Sequence, residues 1–164
     1  MSYRTGFAAL ALLLVSGTAS AQRVRLDDSP SPVDSLHIDL AWETDAMAAL
    51  AFAQPANVAE LPPATGRLPG VEVRLDTRDY VGRQARIFLS IQGLGESADV
   101  RLAWEAGGRF LAGSVRPGQA TLVFEGLIEQ PVTSGIFSFI LEVGEASALP
   151  QNSLEVIYEL ETLP

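Results

Sequence analysis

Residues 71–92 read Val71-Glu-Val-Arg-Leu-Asp-Thr-Arg-Asp-Tyr-Val-Gly-Arg-Gln-Ala-Arg-Ile-Phe-Leu-Ser-Ile-Gln92. Apolar residues occupy every second position from Val71 to Leu75, and again from Ala85 to Ile91. Successive side chains of a strand point to opposite faces of a sheet, so this period of two places one apolar and one polar side on each segment. The stretch therefore predicts two β-strands separated by a polar turn.

The same alternation recurs along the chain between turns rich in glycine and proline. Short strands with frequent turns are typical of antiparallel sandwiches and barrels. We predict an all-β fold, an antiparallel β-sandwich of immunoglobulin-like architecture, with a small closed β-barrel as the alternative. Trp42 and Trp104 lie on the apolar sides of their strands and are predicted to anchor the core. The eight predicted strands are 36–42, 71–76, 85–92, 99–105, 109–115, 119–125, 136–143 and 153–161.

Three further segments carry specific expectations. Gly107-Gly108 is a hairpin signal, because glycine tolerates positive φ, and it predicts that residues 109–115 pair with the preceding strand. The run from Ile136 to Val143 is almost wholly apolar, which predicts a central strand covered, or nearly covered, on both faces. The alanine-rich residues 45–53 predict a short helix, and residues 57–70, with three prolines and two glycines, predict a loop.

The N-terminus has the pattern of an export signal. Arg4 precedes an apolar run too short to span a bilayer, and the small residues Ala19-Ser20-Ala21 fit a cleavage site. We expect residues 1–21 to be a cleaved signal peptide and the protein to be periplasmic or extracellular. Residues 22–34 contain Ser29-Pro30-Ser31-Pro32 and are predicted to be a flexible leader. Residues 35–164 are then predicted to be one β-sandwich domain.

The amino-acid composition excludes several kinds of site and partner. The chain has no cysteine, so we expect neither a lipid anchor on an N-terminal cysteine, nor disulfides, nor a thiol nucleophile. Every basic residue is an arginine, and the formal net charge is −9. We expect neither nucleic acid nor an anionic membrane surface as a partner, because both attract basic surfaces and this chain is acidic. After signal cleavage no membrane-spanning segment is expected.

Catalytic patterns are missing from the sequence. His37 is the single histidine, so a site with two histidine ligands cannot form, and no Gly-x-Ser-x-Gly nucleophile motif is present. Asp76 and Asp79 flank a turn, where aspartate bonds its own backbone; a calcium site there is the weaker interpretation. We therefore predict no catalytic residues, no cofactor and no metal, although abundant carboxylates leave a paired-acid hydrolase as an alternative.

Charge is unevenly distributed along the sequence. Residues 67–116 hold eight arginines against six acids, whereas residues 117–164 hold seven glutamates and no basic residue. Such asymmetry favours either a solvated surface or an interaction with a partner or another copy. The arginines near the central turn are expected to pair mainly with the acids beside them. The candidate interaction residues are Arg74, Arg78, Arg83, Arg86, Glu155, Glu159 and Glu161.

These observations predict an exported, non-enzymatic envelope protein that acts as an interaction or structural domain, with a protein partner or its own copies. A sharper version is a pilus-subunit-like domain, in which residues 22–26 add as a strand to a neighbour's sheet. The alternative is a domain that binds a small ligand or carbohydrate, which requires a concave site with convergent polar groups.

Overall fold

The computed structural model describes residues 22–32, 40–42, 64–93, 99–144 and 154–164, and for residues 40–42 only the backbone. Within these ranges the chain forms antiparallel strands and one 3-10 turn, Arg78–Tyr80. Trp42, His37 and the alanine-rich segment 45–53 lie outside the described side chains. The strands are β1 (Val24–Arg25), β2 (Leu40–Trp42), β3 (Ala64–Asp76), β4 (Gln84–Gln92), β5 (Val100–Ala106), β6 (Gly113–Val115), β7 (Ala120–Leu127), β8 (Val132–Val143) and β9 (Glu155–Thr162).

These strands form two sheets, which we name sheet A and sheet B. Sheet A has the order β1-β9-β4-β7, and sheet B has the order β2-β3-β8-β5-β6. The sheets face one another without closing into a barrel. The predicted antiparallel β-sandwich is confirmed, and the closed barrel is not observed.

The core lies between the inner faces of the two sheets. Phe137 of β8 is fully buried, and its ring lies 5.1 Å from that of Phe110, 5.5 Å from that of Phe139 and 6.4 Å from that of Tyr158. Trp104 is buried as predicted, and its indole N–H donates to the Leu111 carbonyl at 2.9 Å. The alternating apolar positions of both sheets therefore supply the core, as period-two patterning requires.

The two strands of residues 71–92 are present, but they do not pair with each other. β3 belongs to sheet B and β4 to sheet A, so residues 77–83 cross from one sheet to the other. Thr77 is fully buried at this crossing; its hydroxyl donates to the Gln130 carbonyl at 2.9 Å and contacts the Thr133 hydroxyl at 3.0 Å. Hydrogen bonds to the neighbouring loop thus satisfy the buried hydroxyl, as they must for it to be tolerated.

Two predicted boundaries are wrong. β3 begins at Ala64, inside the predicted loop, because a bulge between Leu68 and Val71 accommodates Pro69 and places Gly70 at φ +70°. β6 covers only residues 113–115 of the predicted 109–115, and Phe110 leaves the ladder to enter the core.

Strand β8 is central in sheet B, as predicted, because it pairs with β3 on one side and β5 on the other. The expectation that both of its faces are covered is wrong. Its inward residues are buried, but Ile136 on the outward side is 59% exposed. Within the described residues, no helix is long and apolar enough to cross a membrane.

The N-terminal segment differs from the flexible leader that we expected. Val24 and Arg25 pair with Leu160 and Glu159 of β9, and Leu26 is buried in the core. Its alternating Arg-Val-Arg-Leu pattern fits a sheet edge, with one side apolar and the other charged.

Candidate interaction surface

The predicted arginines of the central turn pair largely with neighbouring acids. Arg74 contacts Glu72 at 2.9 Å, and Arg78 contacts Asp76 at 2.9 Å. The hydrogen bonds from Arg78 hold the pKa of the Asp76 carboxyl below its usual value. These side chains satisfy one another, which supports the local-pair interpretation over an anion clamp.

The other two predicted arginines differ from each other. Arg86 of β4 contacts Glu125 of the adjacent strand β7 at 3.1 Å, and this hydrogen bond raises the pKa of Arg86. Arg83 in the crossing turn is exposed and forms no ion pair within the described ranges. The acid that neutralises Arg86 lies 39 residues away, so only the sheet pairing brings them together.

The predicted glutamates of β9 lie on the outward side of sheet A, where arginines of β1 meet them. Arg23 contacts Glu161 at 3.5 Å, and Arg25 forms an ion pair with Glu155. Glu159 forms no ion pair among the described residues. The N-terminal segment thus neutralises much of the charge that made the end of the sequence look strongly acidic.

The seven predicted interaction residues therefore do not form one surface. Arg74 lies on the outward side of sheet B and Arg78 and Arg83 lie in the crossing turn, whereas Arg86 and the three glutamates lie on sheet A.

The outward side of sheet A exposes little apolar surface next to β9, although Leu127 of β7 is 38% exposed at the other edge. The Arg23 guanidinium lies 3.7 Å from the centre of the Phe88 ring and covers it. Ile157, on the same side, is only 4% exposed. A cation over an aromatic face and the ion pairs around it mean that, apart from Glu159, the charged groups of this surface are already paired within the molecule.

The outward side of sheet B is different. Ile136 is 59% exposed, the largest exposure among the large apolar side chains described. Along the same strand, Ser138 and Ile140 are half-buried and point the same way, and Ala103 of β5 lies opposite Ile140. Small and apolar side chains in this arrangement make a flat surface that another protein surface can approach closely.

Two charges without an ion-pair partner flank this surface. Arg67 of β3 lies opposite Ile140, and Glu105 of β5 lies opposite Ser138. Both are exposed, and within the described residues neither forms an ion pair. We define the Ile136 face as the surface made by Arg67, Ala103, Glu105, Ile136, Ser138 and Ile140.

Sequence reasoning missed this face for an identifiable reason. The run Ile136–Val143 is apolar at nearly every position, so its period gives no indication of which side is exposed. The one available signal was Ser138 and Glu142 at even positions, which marks that side as the more polar one.

A shallow, open depression of about 200 Å³ is lined by Arg109, Glu129, Gln130, Val132, Thr133 and Ser134. Ligand pockets typically enclose about 300–1,000 Å³. Arg109 contacts Glu129 across it at 3.0 Å. The described residues contain no group of three or more potential metal ligands, and Asp76 is engaged by Arg78.

Comparisons with known protein families, with curated proteins and with solved structures gave no match for this chain.

Proposed function

We propose that this chain is an exported, non-enzymatic envelope protein whose β-sandwich is a structural domain that associates with its own copies through the Ile136 face. The observation that carries the proposal is the 59% exposure of Ile136 on the outward side of the central strand β8. Further along the same side, Arg67 and Glu105, which form no ion pair among the described residues, lie opposite Ile140 and Ser138. The signal-like residues 4–21 support export.

The charges on this face are arranged to complement a second copy. Arg67 and Glu105 lie on opposite sides of β8, about 10 Å apart across the sheet. A two-fold axis along β8 places Ile136 and Ile140 against their own counterparts. It also brings Arg67 of each copy over β5 of the other copy. There it lies about 7 Å from Glu105, the distance between neighbouring side chains on one face of a strand. The face is thus self-complementary in both apolar surface and charge.

The test is the oligomeric state of residues 22–164, measured by sedimentation velocity over a wide concentration range. We expect a concentration-dependent dimer. Ile136→Asp should weaken it at least tenfold, because the substitution removes apolar contact and sets two carboxylates near each other across the axis. Leu111→Asp is the matched control, since Leu111 is also exposed, at 45%, but lies outside the face.

Charge reversal tests the proposed register. Arg67→Glu or Glu105→Arg alone should weaken association by roughly three- to fivefold, as expected for a partly exposed ion pair. Combining both substitutions should restore it. A wild-type chain that stays monomeric at every concentration, or an Ile136→Asp variant that associates like wild type, overturns the proposal.

A pull-down from envelope extracts separates the proposal from its main rival, which is binding to a different protein. If the chain is monomeric but captures a protein from envelope extracts in an Ile136-dependent manner, the face serves a different partner protein. The ligand-binding alternative has no specific support from the depression near Arg109 described above.

A further inference from the structure

The N-terminal segment connects the two sheets. Residues 23–31, which we name the N-terminal clasp, begin with β1 on the edge of sheet A. The Leu26 N–H donates to the Tyr158 carbonyl of β9 at 2.8 Å. The next residue turns to sheet B, where the Asp27 carbonyl accepts from the Asp76 N–H at 2.8 Å. The Ser31 hydroxyl then bonds both the N–H and the carbonyl of Arg74, at 2.9 and 3.2 Å.

The edge of β9 recognises the clasp by its side chains as well as its backbone. Leu26 fills the core and is 6% exposed. On the opposite side, Arg23 contacts Glu161 and the Phe88 ring, while Arg25 pairs with Glu155. The site therefore selects an extended segment with two cations facing outward and one apolar residue facing inward, the pattern Arg-x-Arg-Leu.

Every one of these contacts joins a terminal segment to the body of the domain. The β1 ladder contains only two residue pairs, and Pro30, within the clasp, and Pro32, after it, do not continue the ladder. A strand from a second copy would form the same hydrogen bonds, ion pairs and apolar contact. Exchange of an identical element consequently costs little apart from the change in its connection.

The opposite edge of sheet A does not offer the same opportunity. At β7, the Leu111 N–H already donates to the Val123 carbonyl at 2.8 Å, and the Thr121 hydroxyl donates to the Ser114 carbonyl at 2.7 Å. We propose that the edge of β9 is a strand-docking site that accepts the N-terminal clasp of a second copy, so that copies associate by strand exchange. This proposal does not rest on the Ile136 face.

The register allows a direct test. Leu26 and Tyr158 are joined by a ladder hydrogen bond, so the preceding pair, Arg25 and Glu159, is a non-hydrogen-bonded pair. The Cα atoms of such a pair lie about 4.5 Å apart, within the range that a disulfide spans. The chain contains no cysteine, so an introduced thiol has no native competitor.

The experiment mixes two variants of residues 22–164, Arg25→Cys and Glu159→Cys. Both carry Ile136→Asp, so that association through the Ile136 face does not contribute. The two are co-refolded from urea, which allows the strands to exchange, and are then oxidised. Strand exchange predicts a disulfide-linked heterodimer on a non-reducing gel, at least tenfold more abundant than the product from Val81→Cys mixed with Glu159→Cys. Val81 is a matched exposed position away from β9, at 46% exposure.

A second variant keeps the test decisive if cross-linking fails. The double variant Arg25→Cys/Glu159→Cys should oxidise readily in either case, because the two positions are paired in the described fold. If it forms only an intramolecular disulfide while the mixture gives no more heterodimer than the Val81 control, the clasp closes only within its own chain and the proposal is overturned. Failure of the Ile136→Asp test leaves this result unaffected, so the two proposals fail separately.

Discussion

At the scale of single residues, Tyr158 is the titratable group that burial changes most clearly. It is 4% exposed on the inner side of β9, where its ring meets Phe137 edge-on. Burial disfavours the charged phenolate, and the nearby Asp28 carboxylate adds to the effect, so the pKa of Tyr158 is raised well above its ordinary value of 10.0.

This pKa shift predicts loss of stability in alkali. The folded state holds Tyr158 neutral, so its contribution is fully present below the unfolded pKa near 10 and declines as the pH rises above that value. We expect the thermal midpoint of the wild type to fall more steeply than that of Tyr158→Phe between pH 9 and pH 11. Tyr80→Phe, at a half-buried position, controls for loss of a hydroxyl. Parallel curves for wild type and Tyr158→Phe would contradict the assignment.

At the scale of elements, the β5–β6 hairpin shows how a short strand is fixed by packing. Gly113 lies opposite Trp104. A Cβ atom at Gly113 would lie 2.9 Å from Cζ2 of the Trp104 indole and 3.3 Å from the Thr121 methyl carbon. The strand therefore stays close to its neighbours only because this position has no side chain.

We expect Gly113→Ala to lower the free energy of unfolding by about 1–3 kcal/mol, the usual cost of overpacking a filled site. Urea unfolding followed by tryptophan fluorescence measures it. Gly107→Ala is the matched control in the same hairpin, because its Cβ would meet nothing closer than the Ile136 carbonyl oxygen, at 3.9 Å. Equal effects of the two substitutions would show that packing against Trp104 is not the cause.

The same elements show how much of the fold the sequence predicts. Alternation placed the inward residues of β4, β5 and β9 correctly, since a period of two directly encodes which residues face inward. It failed in β7, where a bulge opposite Ile87 and Phe88 buries the adjacent residues Val123 and Phe124 together, and it gave no side for the almost wholly apolar run of β8. It did not predict that β3 begins before Pro69. A proline and two glycines within seven residues are typical of a loop, and the sequence does not show that a bulge allows them in a strand. Nor did it show that Phe110 leaves the ladder to fill the core.

At the scale of the whole molecule, folding largely cancels the charge asymmetry of the sequence. Glu125, Glu129, Glu142, Glu155 and Glu161 all belong to the acidic last third, and each pairs with an arginine from an earlier part of the chain. The contrast between the two parts of the sequence is thus mostly internal complementarity.

This arrangement predicts an unusual salt dependence for one variant. Arg23→Gln/Arg25→Gln leaves Glu155, Glu159 and Glu161 facing one another on β9, so we expect a loss of about 1 kcal/mol at low salt that is partly recovered in 0.3 M NaCl. The wild type should change little or weaken slightly, because salt screens attractive pairs. Thermal midpoints at low salt and in 0.3 M NaCl measure this, with Arg83→Gln as the control, because Arg83 is exposed, lies outside the Ile136 face and forms no ion pair among the described residues. A variant whose midpoint falls on adding salt would contradict the account.

The sequence by itself determined the class of fold, the inward residues of β3, β4, β5 and β9, and the local pairs Glu72–Arg74 and Asp76–Arg78, because each depends on spacings of two residues. Only the tertiary structure decided that β3 and β4 lie in opposite sheets, that Arg23 meets Glu161, and that Ile136 is exposed. Backbone hydrogen bonds are the same for every strand, so alternation specifies a strand's face but not its neighbour. The packing of the entire core determines which strands are neighbours. The strand order in turn determines which distant charges pair and which surface stays exposed.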